Sequence, residues 1–267
     1  MRNKHGEFIW YELLTSDING ARAFYSKVVG WNIVDSGMPG AAYWFFNATD
    51  TKSGIETSVG GMMQLDDDMK AGGAVPVWLG YVGVDDVDAC LDSLTAAGGS
   101  VMMPAADIPG AGRIAMVTDA QGVPFYVMRG ESDEPSYSFA SDLARPGHCG
   151  WNELASTNPD SAWAFYGDLF GWVKDGHMDM GPMGKYEFIR HGAMIGAIMP
   201  KPTEMPVPMW SYYFRVPDID MAAKAVADNG GQVFYGPAEV PGGDYIISGM
   251  DPQGAAFNLV GSKGGLH

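Results

Sequence analysis

The run from Phe8 to Leu14, apolar or aromatic at every position but Glu12, suits a strand. The pattern then changes. Ile18, Ala21, Phe24, Tyr25, Val28 and Val29 recur at helical spacing behind Asp17, a residue suited to cap a helix, and Gly30 stops the pattern. Tyr43 to Asn47 and Val59 to Leu65 read as hairpin strands, and Val77 to Val84 reopens the series with another strand. Asp85 or Asp86 then caps a helix carrying Val87, Cys90, Leu91 and Leu94, and Gly98-Gly99 ends it as a left-handed C-cap. Strands at Val101 to Met103, Arg113 to Thr118 and Phe125 to Met128 follow, with an Asp-x-x-Gly turn before the last. The order βαβββ thus occurs twice.

The same succession returns further along. Trp10-Tyr11-Glu12-Leu13, Ala23-Phe24-Tyr25 and Gly30-Trp31 recur as Trp151-Asn152-Glu153-Leu154, Ala164-Phe165-Tyr166 and Gly171-Trp172, a constant 141 positions on. Trp78, Gly98-Gly99, Pro109-Gly110 and Asp119-x-x-Gly122 recur at an offset of 132 as Trp210, Gly230-Gly231, Pro241-Gly242 and Asp251-x-x-Gly254. So long a period is duplication of a domain, since solenoid repeats run to about 20–50 residues. Four modules and two domains result, 1–129 and 148–267, with the polar, turn-rich stretch 130–147 as linker.

A first helix ending in Phe-Tyr and Gly, then an Asp-x-x-Gly turn (Asp-Pro-x-Gly in the second copy) before a final strand, all in order and twice, resembles the vicinal oxygen chelate family of glyoxalases, bleomycin-resistance proteins and extradiol dioxygenases. The resemblance covers residues 7–129 and 148–261, and the tandem form resembles an antigen-like subgroup of actinobacteria. It implies an α+β fold of two tandem glyoxalase-like domains, each of two βαβββ modules with sheets curled into a cup that holds a small molecule. Relatives bind a divalent metal through His and Glu on the cup strands. Here Trp10 and Trp151 stand at the position of the first His, and Tyr126 and Asn258 at that of the Glu; Leu79 and Ser211 lie near the other His. An indole offers no lone pair to a metal, so no metal and no cofactor is expected.

Composition narrows the partners. Thirty-two acidic against 16 basic residues give a formal charge of -16, a field that repels nucleic acid and anionic lipid. Glu7 and Glu12 interrupt the apolar stretch that a secretory peptide needs, and two cysteines are too few for a disulfide framework; both point to the cytoplasm. Strand alternation places Phe8 and Glu12 on one face with Trp10, and Cys149 and Glu153 with Trp151. An interior Glu12 or Glu153 serves as a general base, an acceptor for a ligand hydroxyl, an alternative metal ligand, or structural glue paired to Arg or amides. His148-Cys149 suggests a thiolate, but neighbours on a strand face opposite ways, and Cys149 reads as a small buried hydrophobe. The other histidines, His5, His177, His191 and His267, lack ligand spacing and read mostly as surface residues. Eighteen Met suit a soft pocket or an ordinary core.

The expected function is binding of a small organic molecule in aromatic cups, with Trp10, Trp151, Tyr126, Asn258, Phe8 and Cys149 lining them. The alternative is a lyase, isomerase or dioxygenase acting on a carbonyl or diol compound, with Glu12 and Glu153 catalytic. A purely structural protein would fill its cups with side chains. The chain is expected as a monomer with an internal pseudo-twofold, or as a homodimer.

Overall fold

The computed structural model describes residues 2–38, 42–50, 53–140 and 144–265, so His267 and part of the expected linker lie outside it. Four βαβββ modules follow one another. The first is β1 (Phe8–Thr15), α1 (Ile18–Val28), β2 (Asn32–Asp35), β3 (Tyr43–Thr49) and β4 (Glu56–Gln64). A short helix, α2 (Asp67–Ala71), leads to β5 (Val77–Gly83), α3 (Val87–Ala96), β6 (Ser100–Ile108), β7 (Gly112–Thr118) and β8 (Pro124–Gly130). The second copy has β9 (Cys149–Ser156), α4 (Pro159–Phe170), β10 (Val173–Asp179), β11 (Lys185–His191) and β12 (Ala193–Pro200). It ends with β13 (Met209–Val216), α5 (Ile219–Asp228), β14 (Gln232–Glu239), β15 (Tyr245–Met250) and β16 (Ala256–Gly261). The α+β fold of two tandem glyoxalase-like copies is therefore as the repeat predicts. No helix among the described residues is long and apolar enough to cross a membrane.

In each module the first strand lies parallel to the last, and the remaining strands pair antiparallel. The strand orders are β2-β3-β4-β1-β5-β8-β7-β6 and β10-β11-β12-β9-β13-β16-β15-β14, two open eight-stranded sheets. Asp86 caps α3 as expected, accepting from the Ala89 amide, and Asp218 and Asn158 cap α5 and α4 by accepting from Met221 and Ser161. Asp17 holds the N-cap position of α1, yet its side chain makes no capping bond. The sequence pattern missed α2, which buries none of its residues and so has no apolar period; Asp66 caps it by accepting from Met69. Of the histidines expected mostly at the surface, His177 is exposed, while His5 and His191 are half-buried.

The chain forms two compact units; four of the five boundaries between them fall inside strands β1, β5, β9 and β13, and the fifth lies between Ser136 and Tyr137. One comprises Trp10–Trp78, Tyr137–Gly150 and Tyr212–His267, the other Met1–Ile9, Leu79–Ser136 and Trp151–Ser211. Each therefore combines one module from each copy.

In the first unit the buried Tyr25 hydroxyl donates to Asp251 Oδ2 at 3.0 Å and accepts from Trp78 Nε1 at 3.0 Å. Trp31 Nε1 donates to the Gly147 carbonyl at 2.8 Å, and Phe46 stacks on Trp31 with ring centroids 4.6 Å apart. Tyr11, Tyr212, Phe214 and Phe257 complete this aromatic core. Burial and the nearby Asp251 charge hold the Tyr25 phenol well above its ordinary pKa, so it remains a donor. Gly147 is obligatory twice over, with φ of +82° and Ala48 only 2.8 Å from where a Cβ would stand.

The second unit repeats the hydrogen-bonded centre of this core with the roles of the copies exchanged. Tyr166 donates to Asp119 Oδ2 at 3.1 Å and accepts from Trp210 Nε1 at 3.0 Å. Trp172 Nε1 donates to the Gly6 carbonyl at 2.8 Å, and Tyr166 stacks on Trp172 at 5.1 Å. The Phe-Tyr, Gly-Trp, Trp78/Trp210 and Asp-x-x-Gly repeats are thus the groups that join a module of one copy to a module of the other. Each such buried hydrogen bond contributes about 0.5–1.5 kcal/mol, and about 1.5–3 where a carboxylate accepts.

Candidate functional site

Strand alternation gives every sheet a side turned to the helices and aromatic core and a side turned away. On β1, Tyr11 and Leu13 are fully buried in the core, so Trp10 and Glu12 lie on the other side. Glu12 is in register with Gly61 on β4, and Gly61 with Phe45 on β3. Trp10 Nε1 donates to the Tyr43 hydroxyl at 2.8 Å, and Trp10 meets Phe45 edge-on at 6.1 Å. Gly61 makes this possible: a Cβ there would stand 2.3 Å from Tyr43 Oη, so the phenol lies directly on the strand. Trp10, Tyr43 and Phe45 are half-buried, whereas Glu12 is only 3% exposed.

The other unit carries the counterpart. Trp151 Nε1 donates to Tyr186 Oη at 2.7 Å, and Tyr186 donates to Glu153 Oε2 at 2.7 Å. Phe188 lies 6.2 Å from Trp151 and 5.8 Å from Tyr186, edge-on to both. Glu153 is in register with Ala197, and Ala197 with Phe188, so Ala197 takes the place that Gly61 holds in the first copy. All four side chains are half-buried. Tyr43, Phe45, Tyr186 and Phe188 were not singled out from sequence; the signal was there, since Tyr-x-Phe recurs 143 positions on, from Tyr43 to Tyr186.

The remaining expected residues are placed as follows. Tyr126 stacks on Tyr81, its register partner, with centroids 4.2 Å apart and planes 14° apart. Asn258 pairs with Tyr213 in register, and its Oδ1 accepts from Ser248 Oγ at 2.7 Å. Phe8 packs against Trp172 and Trp210, each at 5.5 Å, within the aromatic core of its unit. Cys149 is fully buried and its backbone bonds to Ser138 and Ala140. Burial pushes the neighbouring His148 imidazole below its usual pKa, with one ring nitrogen 2.6 Å from the Tyr137 carbonyl oxygen. A neutral imidazole gives no electrostatic support to a thiolate.

The family's metal does not fit these donors. Both indoles at the first ligand position spend their single N–H on a tyrosine and have no lone pair to give. At the carboxylate position stand a stacked phenol and an amide engaged with a serine. Among the described residues no three His, Cys, Asp or Glu side chains are grouped so as to hold a metal ion.

Comparison with known proteins agrees with the fold. The chain is 32% identical over 255 residues to "Putative glyoxylase CFP32" of Mycobacterium tuberculosis, covering 94% of this chain and 93% of that one. It is 28% identical over 261 residues to the anthracycline biosynthesis protein DnrV of Streptomyces peucetius, covering 94% and 91%. Among solved structures, the Mn(II)-bound glyoxalase from Novosphingobium aromaticivorans superposes with a TM-score of 0.65 at 19% identity, over 98% of this chain and 84% of that one. The profile of the Glyoxalase/Bleomycin resistance protein/Dioxygenase superfamily matches residues 8–127. With the repeated modules and a relative spanning nearly the whole length, the chain belongs to the glyoxalase/bleomycin resistance/dioxygenase superfamily.

Proposed function

We propose that the chain binds small organic molecules with a flat ring on the sheet sides turned away from its cores, without a metal ion. The observation that carries this reading is one cluster found twice: Trp10, Tyr43 and Phe45 beside Glu12, and Trp151, Tyr186 and Phe188 beside Glu153. Half-buried aromatic rings present large apolar area in fixed geometry, and a few placed polar groups orient what lies on them. The likeness to an anthracycline biosynthesis protein supports polycyclic aromatics as the ligand class.

A second reading is favoured by the Tyr186 to Glu153 hydrogen bond. A phenol bonded to a carboxylate is a ready proton relay, suited to a lyase or isomerase acting on a carbonyl or diol compound with Glu12 and Glu153 as bases. Thermal-shift screening of flat-ring compounds identifies ligands, because binding to the folded state raises its melting temperature. Glu12→Gln and Glu153→Gln then separate the readings. A binder loses about tenfold in affinity, and an enzyme loses turnover while retaining its ligand. Large destabilisation with unchanged binding sinks both. About one tightly held transition metal per copy, lost on chelation, would overturn the metal-free part.

A further inference from the structure

The two aromatic clusters on the outer sheet sides share their rings but not the setting of their carboxylates. Glu12 is 3% exposed, whereas Glu153, its equivalent 141 positions on, is half-buried. Each glutamate has a register partner on the neighbouring strand, Gly61 for Glu12 and Ala197 for Glu153, and each of those partners faces a phenylalanine one strand further, Phe45 or Phe188. Trp10 matches Trp151 and Tyr43 matches Tyr186, and in both copies the indole donates to the tyrosine hydroxyl. Within this common frame, glycine against alanine is the change that stands beside the carboxylate.

Gly61 keeps an ordinary strand backbone, so no left-handed conformation calls for glycine there. Space does. The three atoms nearest to a Cβ at Gly61 would all belong to the Tyr43 phenol, at 2.3, 2.4 and 2.5 Å, far inside van der Waals contact. Tyr43 therefore lies on the strand at the position paired with Glu12. At Ala197 a methyl group fills the corresponding space, so Tyr186 cannot settle in the same way. Its hydroxyl stands at the carboxylate instead, donating to Glu153 Oε2 at 2.7 Å, and Glu153 keeps part of its surface open. A carboxylate accepts several donors at once, so the bond from Tyr186 does not preclude one from a ligand.

We infer that only the second copy offers its carboxylate to a ligand, with Glu153 accepting from a ring hydroxyl, and that the residue at 61 or 197 decides this: glycine lets Tyr43 close over Glu12, and alanine holds Tyr186 back from Glu153. The ligand part rests on the reading of the outer sheet sides as binding surfaces; the difference in access does not. The full chain is treated with a water-soluble carbodiimide and glycinamide, and modification of each glutamate is followed by peptide mass spectrometry. Glu153 should react about tenfold faster than Glu12 or more, because a sealed carboxylate reacts only through local opening. Gly61→Ala, which displaces the far end of one half-buried side chain, should speed Glu12 about fivefold, and Ala197→Gly should slow Glu153 by a similar factor. Ala197→Gly alone serves if Gly61→Ala does not melt cooperatively. Equal rates at the two glutamates in the wild-type chain, or rates that the substitutions leave unmoved, overturn the inference. In calorimetric titration with 1-naphthol, Glu153→Gln should weaken binding about tenfold. If the wild-type chain binds 1-naphthol and Glu153→Gln binds it as tightly, the inference is overturned while ligand binding stands. Labelling as expected with no binding of 1-naphthol sinks the ligand reading and, with it, the ligand part of the inference.

Discussion

The tyrosine lock of each unit's core is a near copy of the other's, although the residues around it differ, with Tyr11, Phe46, Tyr212 and Phe214 of one unit standing where the other has Asn152, Ile189, Gly80 and Val82. Tyr25, Trp78, Asp251, Trp31 and Gly147 in one correspond to Tyr166, Trp210, Asp119, Trp172 and Gly6 in the other, and the bond from tyrosine to aspartate measures 3.0 Å in one and 3.1 Å in the other. On the sheet sides turned away from the core only the second modules have parted, with Tyr126 against Asn258, Met116 against Ser248 and Met103 against Tyr235, whereas the first modules keep Trp10, Tyr43 and Phe45 as Trp151, Tyr186 and Phe188. The constancy of the lock follows from its hydrogen bonds. A tyrosine that accepts from an indole and donates to a carboxylate, all buried, cannot change alone without orphaning both neighbours.

The comparison predicts its own strongest test. Tyr25→Phe and Tyr166→Phe each leave an indole N–H and a carboxylate oxygen unpaired, so each should cost about 3 kcal/mol in denaturant unfolding. The two costs should agree within about 1 kcal/mol; a larger gap would show that the cores, alike in geometry, differ in energetics. Trp31→Phe and Trp172→Phe keep most of the ring and lose one bond to a glycine carbonyl, for an expected loss of about 1–2 kcal/mol each. The smallest effect concerns pH. Burial raises the carboxyls of Asp119 and Asp251 above the usual range, against the backbone amides that donate to them. A carboxyl whose folded pKa lies above its unfolded value, about 3.9, stabilises most in acid and loses that contribution as pH rises through the folded value. The wild-type chain, measured against Asp119→Asn or Asp251→Asn, should therefore lose relative melting temperature from about pH 4 upward, with equal slopes for the two variants. An opposite slope would show that hydrogen bonding outweighs burial.

The modules were legible because each signal is local. An apolar run marks β1 and apolar period marks α1, and Gly30 and Gly98, with φ of +86° and +91°, end their helices where the sequence places the stops. The repeated motifs were legible as repeats but not as partners, because Tyr25 and Asp251 are 226 positions apart and no short-range pattern joins them. The outer clusters were half read: alternation found Trp10 with Glu12, while Tyr43 and Tyr186 reach them only through a fold that lays β3 and β11 alongside. The short strand β2, Asn32–Asp35, passed unnoticed because four residues give too few alternations to count.

Because every unit draws one module from each copy, the gene carries a constraint that neither half shows by itself. Deleting either copy would leave not one finished unit but two unfinished ones, each without half of its tyrosine and aspartate lock. Once the halves had interleaved, the duplication could no longer be reversed within a single chain, and mutations in the two copies became answerable to each other.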